Sequence, residues 1–355
     1  MKSFSLCGIL ILTTLLRSKK MKICVLGAGT WGTALAALLV ENGHDTVLWS
    51  AIPEEIDALS STRVHKNLPG RVLPEALKYD KSLETALNGR QLVLFVVPSQ
   101  FIRATARLAA PHLADGVVLV SAAKGIEPDT LKTMTEIIEN EVSTARPELG
   151  CKYAALSGPT HAEEVAVGQP TSIVSACEDE EVSMEIARAF ASTCMRVYTN
   201  TDVLGVELAG ALKNIVAIAS GINRGMGFGD NTQAMLITRG AAEITRMGLA
   251  MGCKRRTFMG LAGIGDLIVT CTSRHSRNNR CGELIGRGKT YEDASREIGM
   301  VVEGYYALEA AMALAKKYEI EIPITEAVYD IIKNGKAPKE AMVELMTRDL
   351  KNEIE

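Results

Sequence analysis

Aromatic residues are scarce in this chain. Phe, Trp and Tyr make up 5% of its 355 residues, and the formal net charge is -3, with no domain-sized basic stretch. Affinity for nucleic acids comes mostly from Lys and Arg side chains that meet phosphates, and single strands also need aromatic side chains on which bases stack. We therefore expect no nucleic-acid partner.

Patterns that hold metals or disulfide frameworks are also missing. The eight cysteines include no pair spaced C-x-x-C, and the five histidines include no pair at i, i+4 spacing. Zinc sites and disulfide-rich folds depend on such clusters. The sequence therefore predicts no metal site, and its cysteines favour a reducing cytosol, which implies a cytoplasmic location.

The first twenty residues differ from the rest. An apolar run over 4–16 is followed by Arg17, Lys19 and Lys20, and Met21 then opens the first strand pattern. The run is shorter than the ~20 residues needed to span a bilayer, and no small-residue cleavage site follows it, so we expect no stable membrane span. We interpret residues 1–20 as a leader outside the fold, and a peripheral anchor or targeting segment is the alternative.

From Met21 onward, short apolar runs alternate with helical patterns. Runs rich in Val, Ile and Leu predict strands over 22–26, 46–49, 92–97, 117–121, 153–157, 171–176 and 196–198. Intervening patterns predict helices, for example over 31–42, 100–110 and 130–142. Strands that are apolar on both faces are typical of a parallel sheet covered by helices. This alternation predicts an α/β fold with a Rossmann-type doubly wound sheet.

The strand pattern stops near residue 202. Helical periodicity then covers 203–221, 231–251, 277–286, 291–298, 304–317 and 324–334. We therefore expect a dinucleotide-binding Rossmann domain over residues 21–202, followed by an all-helical domain over 203–355 for substrate binding and catalysis.

The segment 21–43 predicts binding of NAD or NADP. Its sequence Gly27-Ala28-Gly29-Thr30-Trp31-Gly32 fits G-x-G-x-x-G, with a strand before it and an alanine-rich helix after it. The first glycine permits a tight turn, the second lets the backbone approach a pyrophosphate, and the third lets helix and strand pack closely. The helix N-terminus favours the anionic group.

The choice between NAD and NADP is open in the sequence. An acid at the end of the second strand accepts from the ribose hydroxyls of NAD, whereas an arginine there meets the 2′-phosphate of NADP. This chain has Trp49-Ser50-Ala51-Ile52-Pro53, which carries neither charge. Ser50 could bond to either group.

Two later strands end in turns that face the same edge of the predicted sheet. Residues 96–100 follow one strand and should line the cofactor site, because ligands lie beyond the carboxyl ends of such strands. Lys124 follows the next strand. Its cation could serve a phosphate or a substrate oxygen, and a solvated loop lysine is the alternative.

Lys213 lies in a helical pattern that has no polar stripe. The residues three and four positions away from it are Ala209, Gly210, Val216 and Ala217. A lysine on such a surface must snorkel or face a polar cavity. Desolvation disfavours its charged form, and a lysine tuned in this way can exchange a proton at physiological pH. A snorkelling structural lysine is the alternative.

A second polar cluster covers residues 271–280, just before a predicted helix. It is rich in hydroxyl, amide and guanidinium donors. A loop of this kind that enters a helix N-terminus suits a phosphate, although a solvated basic turn is the alternative. Upstream, Asp266 stands in an apolar, glycine-spaced segment, where it could orient Lys213 or hold a substrate hydroxyl.

These motifs, in this order from about residue 21 to about 348, resemble bacterial-type NAD(P)-dependent glycerol-3-phosphate dehydrogenases. The similar segments are Gly27–Ala34, 156–164 with its Ser-Gly-Pro sequence, 210–214 with Gly-Ala-x-Lys-Asn, 265–267, 276–278 and 302–304. The resemblance implies reversible hydride transfer between NAD(P)H and dihydroxyacetone phosphate, which gives sn-glycerol 3-phosphate for glycerophospholipid synthesis.

The resemblance also implies roles for particular residues. Lys213 would be the catalytic proton acceptor for the C2 hydroxyl. The implied substrate-binding residues are Lys124, Gly158, Lys213, Asp266, Ser276, Arg277 and Asn278. The implied cofactor contacts are Gly27, Gly29, Thr30, Trp31, Gly32, Lys124, Ala162, Arg277, Val301 and Glu303.

The chain departs from the family pattern at two places. The family often has a basic residue after the second strand, where this chain has Ser50-Ala51, and the leader before Met21 is outside the pattern. Two rival interpretations stay open: another dehydrogenase of this architecture, such as one for a 3-hydroxy acid, and a non-catalytic NAD(P)-sensing protein. A homodimer is compatible with the sequence.

Overall fold

The computed structural model describes residues 19–68 and 70–353, so the predicted leader falls almost entirely outside the described residues. The strands are β1 (Lys22–Leu26), β2 (Asp45–Trp49), β3 (Lys78–Asp80), β4 (Leu92–Phe95), β5 (Val118–Ser121), β6 (Lys152–Ser157), β7 (Thr171–Ala176) and β8 (Met195–Asn200). They form one sheet in the order β3-β2-β1-β4-β5-β6-β7-β8. The strand order reverses beside β1, and this switch point is where open α/β sheets bind their ligands.

Helices cover both faces of this sheet. They are α1 (Thr30–Glu41), α2 (Pro53–Thr62), α3 (Leu83–Leu87), α4 (Ile102–Ala109), α5 (Met134–Ala145), α6 (Ala162–Ala166) and α7 (Glu180–Phe190). Ile23 and Val25 of β1 pack in one apolar cluster with α1 and α7, whereas Cys24 and Leu26 pack in another with α4 and α5. The period of two along each strand therefore buries alternate residues in different layers, as the apolar runs predict.

Two strands, β7 and β8, run against the direction of the other six. β6 and β7 pair antiparallel, while the other neighbouring strands pair parallel. Only the short helix α6 lies between β6 and β7, and an antiparallel partner needs no crossover helix, whereas a parallel one does. The longer helix α7 then returns the chain so that β8 can pair parallel with β7.

The chain divides into two compact units. One comprises the residues up to Lys124 and Thr133–Val203, and the other comprises Gly125–Lys132 and Leu204–Glu355. The short segment between β5 and α5 thus packs with the helical unit, which no sequence pattern indicates. The helices of the second unit are α8 (Val203–Gly225), α9 (Asp230–Ala250), α10 (Arg255–Phe258), α11 (Asp266–Thr272), α12 (Arg277–Gly286), α13 (Tyr291–Ile298), α14 (Glu303–Tyr318), α15 (Pro323–Lys333) and α16 (Pro338–Met346).

Helix α8 is the core of the helical unit. It is long and apolar enough to cross a membrane, with a mean hydropathy of 1.5, but 89% of that apolar window is buried inside the protein. A Cβ at Gly221 would overlap the backbone of Asn279, and one at Gly282 would overlap the backbone of Ile218. These glycines let α8 and α12 approach to backbone contact, which fixes the start of α12 against α8.

A buried acid makes the stability of this unit depend on pH. Glu243 accepts hydrogen bonds from the backbone N–H groups of Ile324 (2.5 Å) and Thr325 (3.2 Å) at the start of α15. Burial raises the pKa of Glu243 from 4.5 to about 7, although these hydrogen bonds act to lower it. The folded protein therefore holds this proton where the unfolded chain has lost it. The group's contribution is fully present below about pH 4.5, falls as the pH rises to about 7, and is constant above that.

We expect Glu243→Gln to remove this fall. Between about pH 5 and about pH 8, the free energy of unfolding of the wild type should drop relative to that of the variant by on the order of 3 kcal/mol. Denaturant unfolding at a series of pH values measures this difference. The exposed Glu340→Gln on α16 is the control and should follow the wild type. If the two profiles of wild type and Glu243→Gln stayed parallel, Glu243 would not be the group responsible.

Candidate active site

The glycine loop between β1 and α1 has the geometry that a dinucleotide site requires. Gly27 has φ +120°, and a Cβ there would lie 2.9 Å from the carbonyl group of Val96. A Cβ at Gly32 would overlap the carbonyl oxygen of Gly27. Around Gly29, in contrast, no atom of the described residues lies within 4 Å of a Cβ position. Gly27 and Gly32 are thus required by the protein's own packing, whereas the space over Gly29 is open to a ligand.

The loop leads into a helix N-terminus that no side chain caps. α1 has Gly29 as its N-cap residue and no acid in its first turn, so its backbone N–H groups can face an anion. Thr30 Oγ1 accepts from Asn67 Nδ2 at 3.2 Å. Trp31 packs on a small cluster that includes Ala162 of α6, so two of the predicted cofactor contacts meet here. These residues fit a pyrophosphate-containing cofactor.

The Ser50 hydroxyl at the end of β2 forms two hydrogen bonds. Its Oγ donates to Oε2 of Glu55 at 2.6 Å and accepts from the backbone N–H of Ile52 at 3.1 Å. Glu55 lies in the first turn of α2, five residues after Ser50. The structure therefore brings a carboxylate to the place where the sequence shows only uncharged residues.

Lys124 and Gly158 follow neighbouring strands and meet. β5 and β6 pair directly, and Lys124 Nζ donates to the carbonyl oxygen of Gly158 at 3.2 Å. A Cβ at Gly158 would lie 3.1 Å from Cα of Ile173 on β7, which explains the glycine. The lysine is half-buried at the carboxyl edge of the sheet, where the sequence predicts it, and is held by the Ser-Gly-Pro loop.

The buried lysine of α8 is paired with an acid. Lys213 is 5% exposed and Asp266 is 1% exposed. Lys213 Nζ donates to Asp266 Oδ1 and, at 2.5 Å, to Thr270 Oγ1. The carboxylate and the hydroxyl compensate the burial of the ammonium, because a buried charge is tolerated when it is paired and hydrogen-bonded. Asp266 is therefore placed to orient Lys213, which is one of the two roles that the sequence leaves open for it.

Asp266 is placed by an unusual backbone segment. A single π-helical turn over Leu261–Gly265 runs directly into α11, whose first residue is Asp266. A Cβ at Gly263 would overlap the backbone of Phe258, so the turn packs too tightly for a side chain. Turns of this type frequently occur at functional sites, where they redirect the next side chain. Thr270 lies four residues after Asp266, on the same face of α11.

Asn278 connects three helices beside Lys213. Its Nδ2 donates to Asn214 Oδ1 on α8, and its Oδ1 accepts from the backbone N–H of Gly304 on α14, each at 2.9 Å. A Cβ at Gly304 would lie 2.7 Å from the carbonyl oxygen of Asn214. The predicted cofactor contacts Val301 and Glu303 therefore lie close to the contact between Gly304 and Asn214. The Asn278 amide retains one donor hydrogen beyond these bonds.

The start of α12 holds the other predicted substrate residues. Ser276 is its N-cap, and its Oγ accepts from the backbone N–H of Asn279 at 3.2 Å. Arg277 is the first helical residue and is half-buried. Asn279 is fully buried and donates to the carbonyl oxygen of Cys271 at 2.8 Å and to Ser220 Oγ at 3.0 Å. Asn279 therefore fixes the N-terminus of α12 on α8 and α11.

The sequence reasoning missed Thr270, Asn214 and Asn279 as members of this arrangement. A signal for Thr270 was available, since it lies one helical turn after Asp266. Asn214 adjoins Lys213 in the chain, but the direction in which its amide points depends on α12. Asn279 could not be told from its polar neighbours, because only packing decides which of several adjacent amides is buried.

A glycine loop of this geometry on a doubly wound sheet, together with a buried lysine in a helical unit, is the plan of an NAD(P)-dependent dehydrogenase. The comparisons with known proteins are specific. Residues 22–183 match the N-terminal model of NAD-dependent glycerol-3-phosphate dehydrogenase, and residues 202–343 match the C-terminal model. The chain belongs to this family.

Curated relatives and solved structures agree with this assignment. A glycerol-3-phosphate dehydrogenase of Lactobacillus delbrueckii, named as using NAD(P)+, is 54% identical over 94% of this chain and 99% of its own length. One from Fusobacterium nucleatum is 46% identical over 94% of this chain and 99% of its own length. The crystal structure of glycerol-3-phosphate dehydrogenase from Coxiella burnetii is similar with a TM-score of 0.88 and 36% identity, over 93% of this chain and 99% of that one.

Family membership confirms three of the expectations from the sequence. The fold class is a doubly wound α/β sheet followed by a helical part, the chain is an oxidoreductase that acts on a CH–OH group, and its cofactor is NAD or NADP. The non-catalytic NAD(P)-sensing protein is thereby excluded.

Proposed function

We propose that the chain catalyses the reversible reduction of dihydroxyacetone phosphate to sn-glycerol 3-phosphate, for use in glycerophospholipid synthesis, with Lys213 as the catalytic residue. The observation that carries the assignment of Lys213 is its buried ammonium, held by Asp266 and Thr270 in the helical unit. Family membership supports the substrate.

Lys213 moves the proton of the reaction. NAD(P)H supplies the hydride that is added to C2, and the C2 oxygen then needs one proton. Lys213 Nζ donates this proton during reduction and accepts it from the C2 hydroxyl during oxidation. Asp266 keeps Nζ in one position and balances its charge while Lys213 is protonated. Thr270 accepts a second hydrogen bond from Nζ and so fixes the orientation of the ammonium.

The start of α12 binds the phosphate of the substrate. Arg277 supplies a guanidinium, and its fork of donors matches phosphate oxygens. Ser276 has its oxygen committed to Asn279, which leaves the hydroxyl proton to donate. Asn278 contributes its remaining amide hydrogen. These contacts with the phosphate supply binding energy that positions C2 for the transfer.

The other predicted site residues stay proposals on their positions. Gly27, Gly29, Thr30, Trp31, Gly32 and Ala162 would hold the pyrophosphate part of the cofactor, since they form or border the open N-terminus of α1. Lys124 would contact both cofactor and substrate, and Gly158 would help to hold the substrate. Arg277, Val301 and Glu303 would contact the cofactor as well.

We expect Arg277→Ala to raise the KM for dihydroxyacetone phosphate by about ten- to a hundredfold, because a charge-assisted bond to a phosphate contributes about 1.5–3 kcal/mol. The value of kcat should change by only a few-fold. Steady-state kinetics with saturating cofactor measure both. Arg287→Ala, at the other end of α12, is the matched control, since Arg287 forms only an exposed ion pair with Glu283. An unchanged KM in Arg277→Ala would contradict the phosphate role.

A substrate panel separates this function from that of a 3-hydroxy acid dehydrogenase with the same architecture. Dihydroxyacetone phosphate should oxidise the reduced cofactor, whereas dihydroxyacetone without the phosphate and a 3-oxo acid should react at least about a hundredfold more slowly at equal concentration. Inorganic phosphate should compete with the substrate. Faster reaction with the 3-oxo acid would favour the rival.

We propose that the enzyme works in the cytoplasm, which its cysteines support. The seven cysteines among the described residues are free, and burial raises the pKa of the Cys24, Cys271 and Cys281 thiols to about 12. Such thiols stay protonated and inert in a reducing compartment. A homodimer stays a prediction, which sedimentation of the purified protein can test.

A further inference from the structure

We propose that Glu55 selects the cofactor of this enzyme, and that the enzyme binds NAD(H) in preference to NADP(H). The inference rests on the proposed function, because it assigns a role at the dinucleotide site of that reaction. It answers the question that the uncharged sequence after β2 leaves open. The carboxylate that decides it comes from the first turn of α2 and not from the strand end itself.

The end of β2 lies beside the glycine loop. The backbone N–H of Gly27 donates to the carbonyl oxygen of Trp49, the last residue of β2, at 2.8 Å. Ser50 follows directly and is 6% exposed. In doubly wound sheets the adenosine ribose lies at this strand end, and the residue there meets the 2′ position. A side chain that is hydrogen-bonded to Ser50 therefore lies near the ribose 2′ position, which is where NAD and NADP differ.

Ser50 has no proton to offer a phosphate. A hydroxyl donates one hydrogen, and that of Ser50 goes to Glu55 Oε2 at 2.6 Å. Its oxygen accepts from Ile52 N–H. A 2′-phosphate carries acceptor oxygens only and needs donors, which this serine does not supply.

Glu55 suits a ribose hydroxyl and opposes a phosphate. Ser50 fixes the carboxylate at Oε2, and the second oxygen, Oε1, can accept from a 2′-hydroxyl. The negative charge that a helix N-terminus favours is already supplied by Glu54 and Glu55 in the first turn of α2. The carboxylate would repel a 2′-phosphate of roughly two negative charges. This repulsion would lower the affinity for NADPH by on the order of tenfold.

Other ionisable groups border the same region. Lys81 follows β3 beside the end of β2, where its carbonyl oxygen accepts from Trp49 Nε1 at 3.1 Å, and its ammonium is paired with Asp57. The pKa of His65 is lowered, chiefly by burial, with Glu55 acting to raise it and Lys66 to lower it. His65 is therefore uncharged near neutral pH and supplies no cation. Lys66 is exposed and is the rival group, because its ammonium could offset the carboxylate and hold a 2′-phosphate.

Direct titration of the purified protein with NADH and with NADPH tests the proposal without relying on turnover. Calorimetry gives both dissociation constants. We expect wild type to bind NADH at least about tenfold more tightly. Glu55→Gln keeps an acceptor for Ser50 but removes the charge. It should tighten NADPH binding by about tenfold and change NADH binding by less than about threefold.

Two further variants make the test specific. Glu54→Gln removes an exposed charge from the same helical turn and should leave the NADH to NADPH ratio within about twofold of wild type. Lys66→Ala should not weaken NADPH binding. The wild-type preference should also shrink as salt is raised, because added ions screen the repulsion.

Three results would overturn the proposal: tighter binding of NADPH by wild type, an unchanged ratio in Glu55→Gln, or loss of NADPH binding in Lys66→Ala. Failure of the proposed function would look different. In that case dihydroxyacetone phosphate would be turned over with neither cofactor, whatever the dissociation constants, whereas turnover that favours NADPH would overturn only the role of Glu55.

Discussion

Lys213→Ala should lower kcat for dihydroxyacetone phosphate by about a hundred- to ten thousandfold, the range that a positioned acid–base group supplies. NADH should still bind with near-normal affinity, because the glycine loop lies in the other unit. The physical reason is that alanine leaves the C2 oxygen without a proton donor. Stopped-flow or steady-state absorbance of NADH measures turnover, and calorimetry measures binding.

Folding is the complication, and a second variant controls for it. Removing one partner of a buried ion pair costs about 3–5 kcal/mol, because it leaves the other charge unpaired. Lys213→Ala thus removes the ammonium that faces the buried Asp266 carboxylate. The double variant Lys213→Met with Asp266→Asn removes both charges and should recover most of the lost stability. It should recover none of the lost activity, so a stable and active double variant would show that Lys213 is structural.

Substitutions in the glycine loop should separate packing from cofactor binding. Gly29→Ala should leave Tm unchanged, since Gly29 has φ -67° and none of the atoms in residues 19–68 and 70–353 lies within 4 Å of the new Cβ. The new methyl group would stand where the pyrophosphate approaches. We expect NADH affinity to fall by at least about tenfold, because a steric misfit of one methyl costs about 1–3 kcal/mol.

Gly32→Ala is the matched comparison on the same loop. Its Cβ would overlap the carbonyl oxygen of Gly27, so the protein itself must distort. We expect both Tm and NADH affinity to fall in this variant. If Gly29→Ala bound NADH as wild type does, the open space over Gly29 would not be the cofactor's place. If Gly29→Ala unfolded instead, the account of the loop's packing would be wrong.

Much of the fold could be predicted, because the sheet is buried on both sides. Apolar runs located seven strands, including β1 and β7 with the observed bounds. β3 was not predicted, since Lys78–Asp80 is a polar edge strand with no apolar run. The antiparallel step at β7 depends on the connection between the strands and not on the strands themselves.

The candidate site, too, could be predicted only in part from the sequence. Lys213 could be found because a lysine in a helix that has no polar stripe must snorkel or face a polar cavity. Its partner Asp266 could be found for the same reason, because it is the one acid of an apolar, glycine-spaced segment. Glu55 could not be found, because it looks like an ordinary first-turn acid of a surface helix. Only the hydrogen bond from Ser50 Oγ to Glu55 Oε2 shows that this carboxylate lies at the end of β2.

The most direct test of the account is whether the purified protein converts dihydroxyacetone phosphate with NADH. One sn-glycerol 3-phosphate should form for each NADH oxidised, measured by phosphorus NMR and absorbance in the same sample. Lys213→Ala with bound NADH should form none on the same time scale. NADH oxidation that needs no phosphorylated ketone, or equal product from Lys213→Ala, would contradict the account.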